Sequence, residues 1–218
     1  MKEKQKMKEK VKEFIVKNLK WIILFICLIG FLAIAEDVFN KEIMNGDIIG
    51  YKLISTFLIS DFATPIAKFI TNFGGAIFLA VLTIILFILI KNKKIGVSIF
   101  SNLAIITALN QLLKNILQRP RPTEYRIIEE TGYSFPSGHS MISMAFYGYL
   151  IYLIYKYVKN KYVKWTSMAL LSLLICSIGI SRIYLGVHYT SDVLGGFLIS
   201  ISYLVIYISA VNKFLIEK

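Results

Sequence analysis

Apolar residues run along this chain in long blocks separated by short polar stretches. Six blocks stand out, at about 19–36, 71–90, 95–116, 139–156, 164–181 and 190–211. Each approaches the roughly 20 residues that a helix needs to cross the hydrocarbon of a bilayer. Lipid offers backbone groups no hydrogen-bond partner, so helices are the expected spanning elements. The segment 43–70 differs. It mixes Ile43, Ile48, Leu53, Phe57, Phe62 and Phe69 with Asp47, Asp61 and Lys68, which suits an amphipathic helix lying in the interface and broken before Pro65. Gly74-Gly75 then lets the second span begin against a neighbouring backbone. The pattern predicts an all-α fold: a polytopic six-helix transmembrane bundle with an interfacial amphipathic helix between the first two spans. Residues 1–18 form a basic cytoplasmic tail and 19–218 a single membrane-embedded domain.

Composition agrees. Of 218 residues, 56% are hydrophobic and 17% charged, against about 25% charged in a soluble domain; mean hydropathy is +0.66. The net charge of +12 does not point to nucleic acid, which would call for a basic patch on a soluble fold. Seventeen of the 25 Lys and Arg residues fall in 1–20, 91–94, 156–164 and 213–218. The positive-inside rule therefore puts both termini in the cytoplasm and turns 36–70, 117–138 and 182–189 outward. Two readings stand for the first block. Ala33-Ile34-Ala35 after a basic segment has the form of a signal-peptidase site, while an uncleaved anchor fits the even number of spans better. Cys27 and Cys176 lie inside apolar runs and read as buried packing residues rather than a disulfide or metal pair.

Three polar clusters share the outward side. Lys114 is followed by Arg119-Pro120-Arg121-Pro122. Pro136-Ser137-Gly138-His139 opens the fourth block. Ser181-Arg182, His188 and Asp192 bracket the junction of the fifth and sixth. Taken singly, each has an ordinary reading: a snorkelling lysine, interfacial arginine anchors, a histidine bonded to a carbonyl, an aspartate helix cap. Together they put both histidines of the chain at one expected depth, and ionisable groups at membrane depth are costly and usually functional.

A phosphate site accounts for the residue types. Phosphoryl chemistry is mostly positioning plus electrostatic stabilisation. Lys114, Arg121 and Arg182 can supply charge, and the arginines can bind bidentately. Ser137 and Gly138 precede a helix whose N-terminal N–H groups suit an anion; Ser137 also suits a helix cap. His188 and Asp192, at i and i+4, share a helix face, so the carboxylate can orient an imidazole acting as nucleophile or base. His139 can protonate a leaving alkoxide. With no further histidine and no carboxylate cluster beside these residues, a metal site is not expected.

These residues resemble the type 2 phosphatidic acid phosphatase superfamily, the membrane lipid phosphatases related to vanadium haloperoxidases. Its pattern of Lys, six residues, Arg-Pro is matched by Lys114 to Arg121-Pro122; Pro-Ser-Gly-His by Pro136 to His139; and Ser-Arg, five residues, His, three residues, Asp by Ser181-Arg182, His188 and Asp192. The likeness covers roughly 114–192. It implies a phosphatase without metal or cofactor. His188 would form a phosphohistidine, Asp192 would orient it, and His139 would protonate the departing group. Lys114, Arg121, Ser137, Gly138 and Arg182 would hold the phosphoryl oxygens. Arg119 and Arg126 lie outside the motif and read as surface charges rather than extra anion contacts.

The partners implied are the bilayer and a membrane lipid substrate; the motifs encode no oligomeric state. Bacterial relatives of this compact layout act on undecaprenyl diphosphate, phosphatidylglycerophosphate, phosphatidic acid or diacylglycerol diphosphate. Haloperoxidases are soluble, which the spans exclude. The alternative is a non-catalytic binder or transporter of lipid phosphates with the same basic pocket, which would not need His188, His139 and Asp192 together. Their roles imply a bell-shaped pH profile, with His188 neutral and His139 protonated.

Overall fold

The computed structural model describes residues 2–41 and 44–213, with side chains from residue 17 onward. Ile43, the side chains of the tail before Lys17, and Lys218 lie outside the described residues. Those described form eight helices and no strand: α1 (Lys2–Phe39), α2 (Asn45–Phe57), α3 (Ala63–Asn72), α4 (Ala76–Leu89), α5 (Lys93–Leu117), α6 (Gly138–Tyr157), α7 (Lys161–Tyr184) and α8 (Thr190–Val211).

Residues 17–39 of α1, with α5, α7 and α8, are long and apolar enough to cross a membrane, and α3 with α4 passes the same test across a 50° bend, giving four or five such helices. The all-helical expectation therefore holds. α6 falls outside that group because residues such as Ser140, Ser143, Tyr147 and Tyr149 dilute its apolar run. It is the inner helix, packed on α5, α7 and α8, with Phe146, Tyr147 and Tyr149 almost wholly buried. Ile26, Ile29, Ile77, Ile88 and Leu173 instead stand exposed on the outer helices.

Local chemistry sets the boundaries. Asn92 caps α5 by accepting from Lys94 N–H at 3.0 Å, and Asn160 caps α7 by accepting from Val163 N–H at 3.2 Å. The break expected before Pro65 falls earlier, at 58–62. Pro65 sits in the first turn of α3, where its missing N–H leaves no bond unmade, and Ser60 Oγ accepts from Ala63 N–H at 3.2 Å. The expected block 71–90 is the bent pair α3–α4, broken at 73–75. Gly74 sits so tightly there that a Cβ would come within 2.8 Å of Ile178 Cγ2 and of Ser143 Oγ, and 3.2 Å of His139 Cδ2.

Several hydroxyls in the bundle find partners inside it, while the Asn102 side-chain amide and Ser143 Oγ are buried without one. Tyr149 Oη donates to Ser98 Oγ at 2.7 Å, and Tyr207 Oη to Ser98 O at 2.5 Å. Cys27 is buried, but Cys176 is exposed on α7: the apolar run that suggested burial there is an outer face.

Close helix approach generates a stability prediction. A Cβ on Gly196 of α8 would lie 3.2 Å from both Met141 N and Ser137 O, backbone atoms that cannot rotate away. Gly196→Val should lower stability by roughly 1–3 kcal/mol, read as the thermal midpoint in detergent. Gly46→Ala, with nothing within 4 Å of the added Cβ, should be neutral or raise it. Equal midpoints for the two variants would remove the packing argument.

Candidate active site

The C-terminal ends of α5 and α7, the N-terminal ends of α6 and α8, and the loop 118–137 meet at one end of the bundle. Seven of the eight residues singled out in the sequence lie on these segments, and the eighth, His188, lies on the short connection 185–189 between α7 and α8. A cleft of about 730 Å³ runs along α6, α7 and α8 from mid-bundle to Lys20 and Lys213 and is lined by none of the eight.

Asp192 is wholly buried. Its Oδ2 lies 3.3 Å from His188 Nδ1 and accepts from the Tyr189 N–H at 2.8 Å, so the same carboxylate caps α8 and orients the ring. On the far side of the ring, Arg121 Nη1 approaches His188 Nε2 to 3.1 Å. A guanidinium only donates, so Nε2 must accept. That assigns the proton to Nδ1, facing Asp192, and the accepting lone pair to Nε2. Burial, with the charges of Arg182 and Arg121, lowers the His188 pKa to about 4 against the pull of Asp192. The ring is therefore neutral at pH 7, as a nucleophile requires.

The remaining candidates surround this ring. Arg182 is 1% exposed and donates to Thr71 Oγ1 at 2.8 Å, with its Nε buried and unpartnered. Arg121 is fixed by the carbonyls of Val187, Thr131 and Gly132 at 2.9–3.2 Å. Lys114 Nζ donates to Tyr133 O. Ser137 Oγ accepts from Ser140 Oγ at 3.0 Å and from the Ser140 N–H at 3.5 Å, capping α6, while the Ser137 N–H donates to Asp192 O at 3.0 Å. A Cβ on Gly138 would meet Asn110 Oδ1 at 3.1 Å. His139 lies against Gly74, within electrostatic reach of Arg182, His188, Arg121 and Lys114.

Two residues depart from the reading of Arg119 and Arg126 as surface charges. Arg119 is 7% exposed. It donates to Asp192 Oδ1 and to Asp47 Oδ2, both at 2.7 Å, and its guanidinium lies 4.1 Å from the Tyr189 ring centroid. Burial opposes its charge, but Asp192 and Asp47 outweigh burial and raise its pKa. Arg126 is half-buried and braces its own loop, donating to Pro122 O at 2.5 Å. Sequence reasoning also missed Asp47, Ser191 and Glu130. Asp47, 4% exposed on α2, accepts from Ser191 N–H at 2.7 Å and from Ser191 Oγ at 2.9 Å. An acid among outward apolar residues was the only available signal. Glu130 Oε1 lies 2.5 Å from Arg182 Nη2.

A family model described as the PAP2 superfamily matches residues 95–216. The chain belongs to the PAP2 superfamily. Among curated relatives, it is 40% identical over 93 residues to phosphatidylglycerophosphatase B of Bacillus subtilis (strain 168), covering 41% of this chain and 44% of that protein. It therefore spans less than half the length of that relative. It is 27% identical over 192 residues to an undecaprenyl-diphosphatase of Sulfolobus acidocaldarius, covering 82% and 84% of the two chains. Among solved structures, the first transmembrane PAP2-type phosphatidylglycerolphosphate phosphatase from Bacillus subtilis superposes with a TM-score of 0.75 at 26% identity, over 88% of this chain and 96% of that one. Aquifex aeolicus LpxE gives 0.59 at 25% identity, over 73% and 92%. With its apolar helices, this PAP2 member is a multi-pass membrane protein.

Removing the guanidinium between two buried carboxylates should be costly. Arg119→Met is expected to lower stability by roughly 3–5 kcal/mol, and Asp47→Asn, which keeps an acceptor for Ser191, by roughly 1–3 kcal/mol, both read as thermal midpoints; unchanged midpoints would refute the network's role. The His188 imidazole should titrate near pH 4 by NMR, so a midpoint at the ordinary value of about 6.5 would contradict the burial argument.

Proposed function

We propose that this PAP2 protein is a lipid phosphatase that hydrolyses the phosphomonoester or diphosphate of a membrane lipid through a phosphohistidine on His188. One observation carries the proposal: a buried imidazole with Nδ1 held by Asp192 and Nε2 turned toward Arg121, beside a cluster of cations.

Nε2 attacks phosphorus in line. The P–N bond forms as the P–O bond to the leaving group breaks, a lipid hydroxyl for a monoester or a lipid phosphate for a diphosphate, and His139 gives its proton to the departing oxygen. Asp192 stabilises the imidazolium character that develops on His188. Water then attacks the phosphohistidine, His139 takes its proton, and inorganic phosphate leaves. Lys114, Arg121, Arg182, Ser137 and the N-terminal N–H groups at Gly138 hold the equatorial oxygens. The donor set is cationic and imidazole-based, which suits chemistry without a metal.

We infer six membrane crossings: α1, the α3–α4 pair, α5, α6, α7 and α8. The positive-inside rule puts both termini in the cytoplasm and the site on the outer face. α2 lies in the interface. Its Ile48, Leu53 and Phe57 are more than half exposed while Asp47 is buried, as expected for a helix with lipid on one side and the site on the other. The relatives named for phosphatidylglycerophosphate and undecaprenyl diphosphate support a lipid substrate class that includes both.

Phosphate release from phosphatidylglycerophosphate, undecaprenyl diphosphate, phosphatidic acid and diacylglycerol diphosphate, in detergent with EDTA, tests the proposal. The native protein should release phosphate and His188→Ala should lose orders of magnitude in rate. Equal rates in the two, or loss with EDTA restored by a divalent ion, would overturn the mechanism. No release from any lipid, with tight lipid binding retained, would favour a binder or transporter. Corrected for the substrate phosphate's own ionisation near pH 6, kcat/KM should keep its acid limb near pH 4, following His188.

A further inference from the structure

Arg182 and Arg121 are assigned above to the phosphoryl oxygens, yet both already face a carboxylate. Arg182 Nη2 donates to Glu130 Oε1 at 2.5 Å, and Arg121 Nη2 lies 4.0 Å from Glu130 Oε2. The two oxygens of Glu130 thus bridge two guanidiniums, as two oxygens of a phosphoryl group would. Arg182 nonetheless keeps its Nε buried with no partner, so the carboxylate does not exhaust the anion-binding capacity of the pocket.

Glu130 is also the movable member of this set. Arg182 is 1% exposed and rooted in α7, and its other partner, Thr71, is a buried residue of α3. Glu130 belongs to no helix, and its side chain is 28% exposed. Burial opposes its charge, but Arg182 and Arg121 outweigh burial and hold its carboxyl below the ordinary pKa. The carboxylate is therefore ionised and close to where Nε2 must meet phosphorus. Two anions cannot share that place without strong repulsion, and the partly exposed loop side chain is the one free to leave.

We propose that Glu130 is a displaceable counter-ion of the phosphate site: its carboxylate holds Arg182 and Arg121 while the site is empty, swings out when a phosphoryl group enters, and returns to expel inorganic phosphate. Two facing guanidiniums without it would repel each other in the empty site and retain the product. This inference takes the anion to be phosphate from the lipid phosphatase reading.

The test uses the full chain in detergent, native and as Glu130→Gln and Glu130→Ala. Inorganic phosphate and orthovanadate binding are measured by calorimetry with no lipid present, and lipid hydrolysis is measured separately. Both variants should bind phosphate roughly tenfold tighter or more, since a competing charge is gone. In hydrolysis, product inhibition should strengthen by a similar factor, and kcat should fall while kcat/KM is kept or rises. Unchanged or weaker phosphate binding in the folded variants overturns the proposal, as does the absence of binding to any of the three proteins. Failure of both variants to fold also overturns it, because a side chain that leaves during each cycle cannot be required for the fold. Since the binding arm contains no lipid, failure to hydrolyse lipids counts against the phosphatase reading alone.

Discussion

Asp192 carries a charge with no exposed surface, and that is tolerable only because donors surround it. His188 and the Tyr189 N–H meet one oxygen; Arg119 meets the other, with Ser134 Oγ at 3.5 Å from it. An isolated carboxylate in such a place would take up a proton rather than stay ionised. Its donors come from the loop 118–137 and from the α7–α8 junction. The local fold of the site end is therefore also the condition for keeping this one group ionised.

The network continues outward through Arg119 to Asp47, which brings α2 into the same arrangement. Asp47 bonds the Ser191 N–H in the first turn of α8, while Asp192 bonds the Tyr189 N–H just before it. Two carboxylates thus satisfy donors that a helix N-terminus leaves unpaired. One comes from within α8 and the other from α2. A buried ion pair of this kind is weak evidence for net stability, since desolvation offsets much of the attraction. Its clearer consequence is geometric: it fixes the carboxylate that fixes the His188 tautomer.

The bundle below the site follows the opposite rule. Tyrosine and serine hydroxyls there pair across α5, α6 and α8, and the outer faces carry bare aliphatic side chains. The bend at 73–75 is where the two regimes meet. Gly74, having no Cβ, lets the chain turn against Ile178 and His139, so a backbone feature of the apolar bundle forms one wall of the polar site.

Much of this was legible in the chain itself. Long apolar runs dictate helices because lipid leaves the backbone no other partner, and the bounds of α5, α6, α7 and α8 fall within three residues of the blocks read from the sequence. The motif residues declared themselves because charges and histidines are rare at membrane depth. Arg119 and Asp47 did not. An arginine at an interface is ordinary, and an acid in an amphipathic segment is ordinary, so nothing local marks them as a pair 72 residues apart in the chain. Glu130 likewise looks like any loop acid until Arg182 and Arg121 close around it. Cys176 was misjudged because an apolar run does not say which face of a helix meets lipid. Which segments become helices, and which residue types can handle an anion, follow from local chemistry and so could be read along the chain. Which charges neutralise one another depends on distances and burial that exist only once the helices have packed.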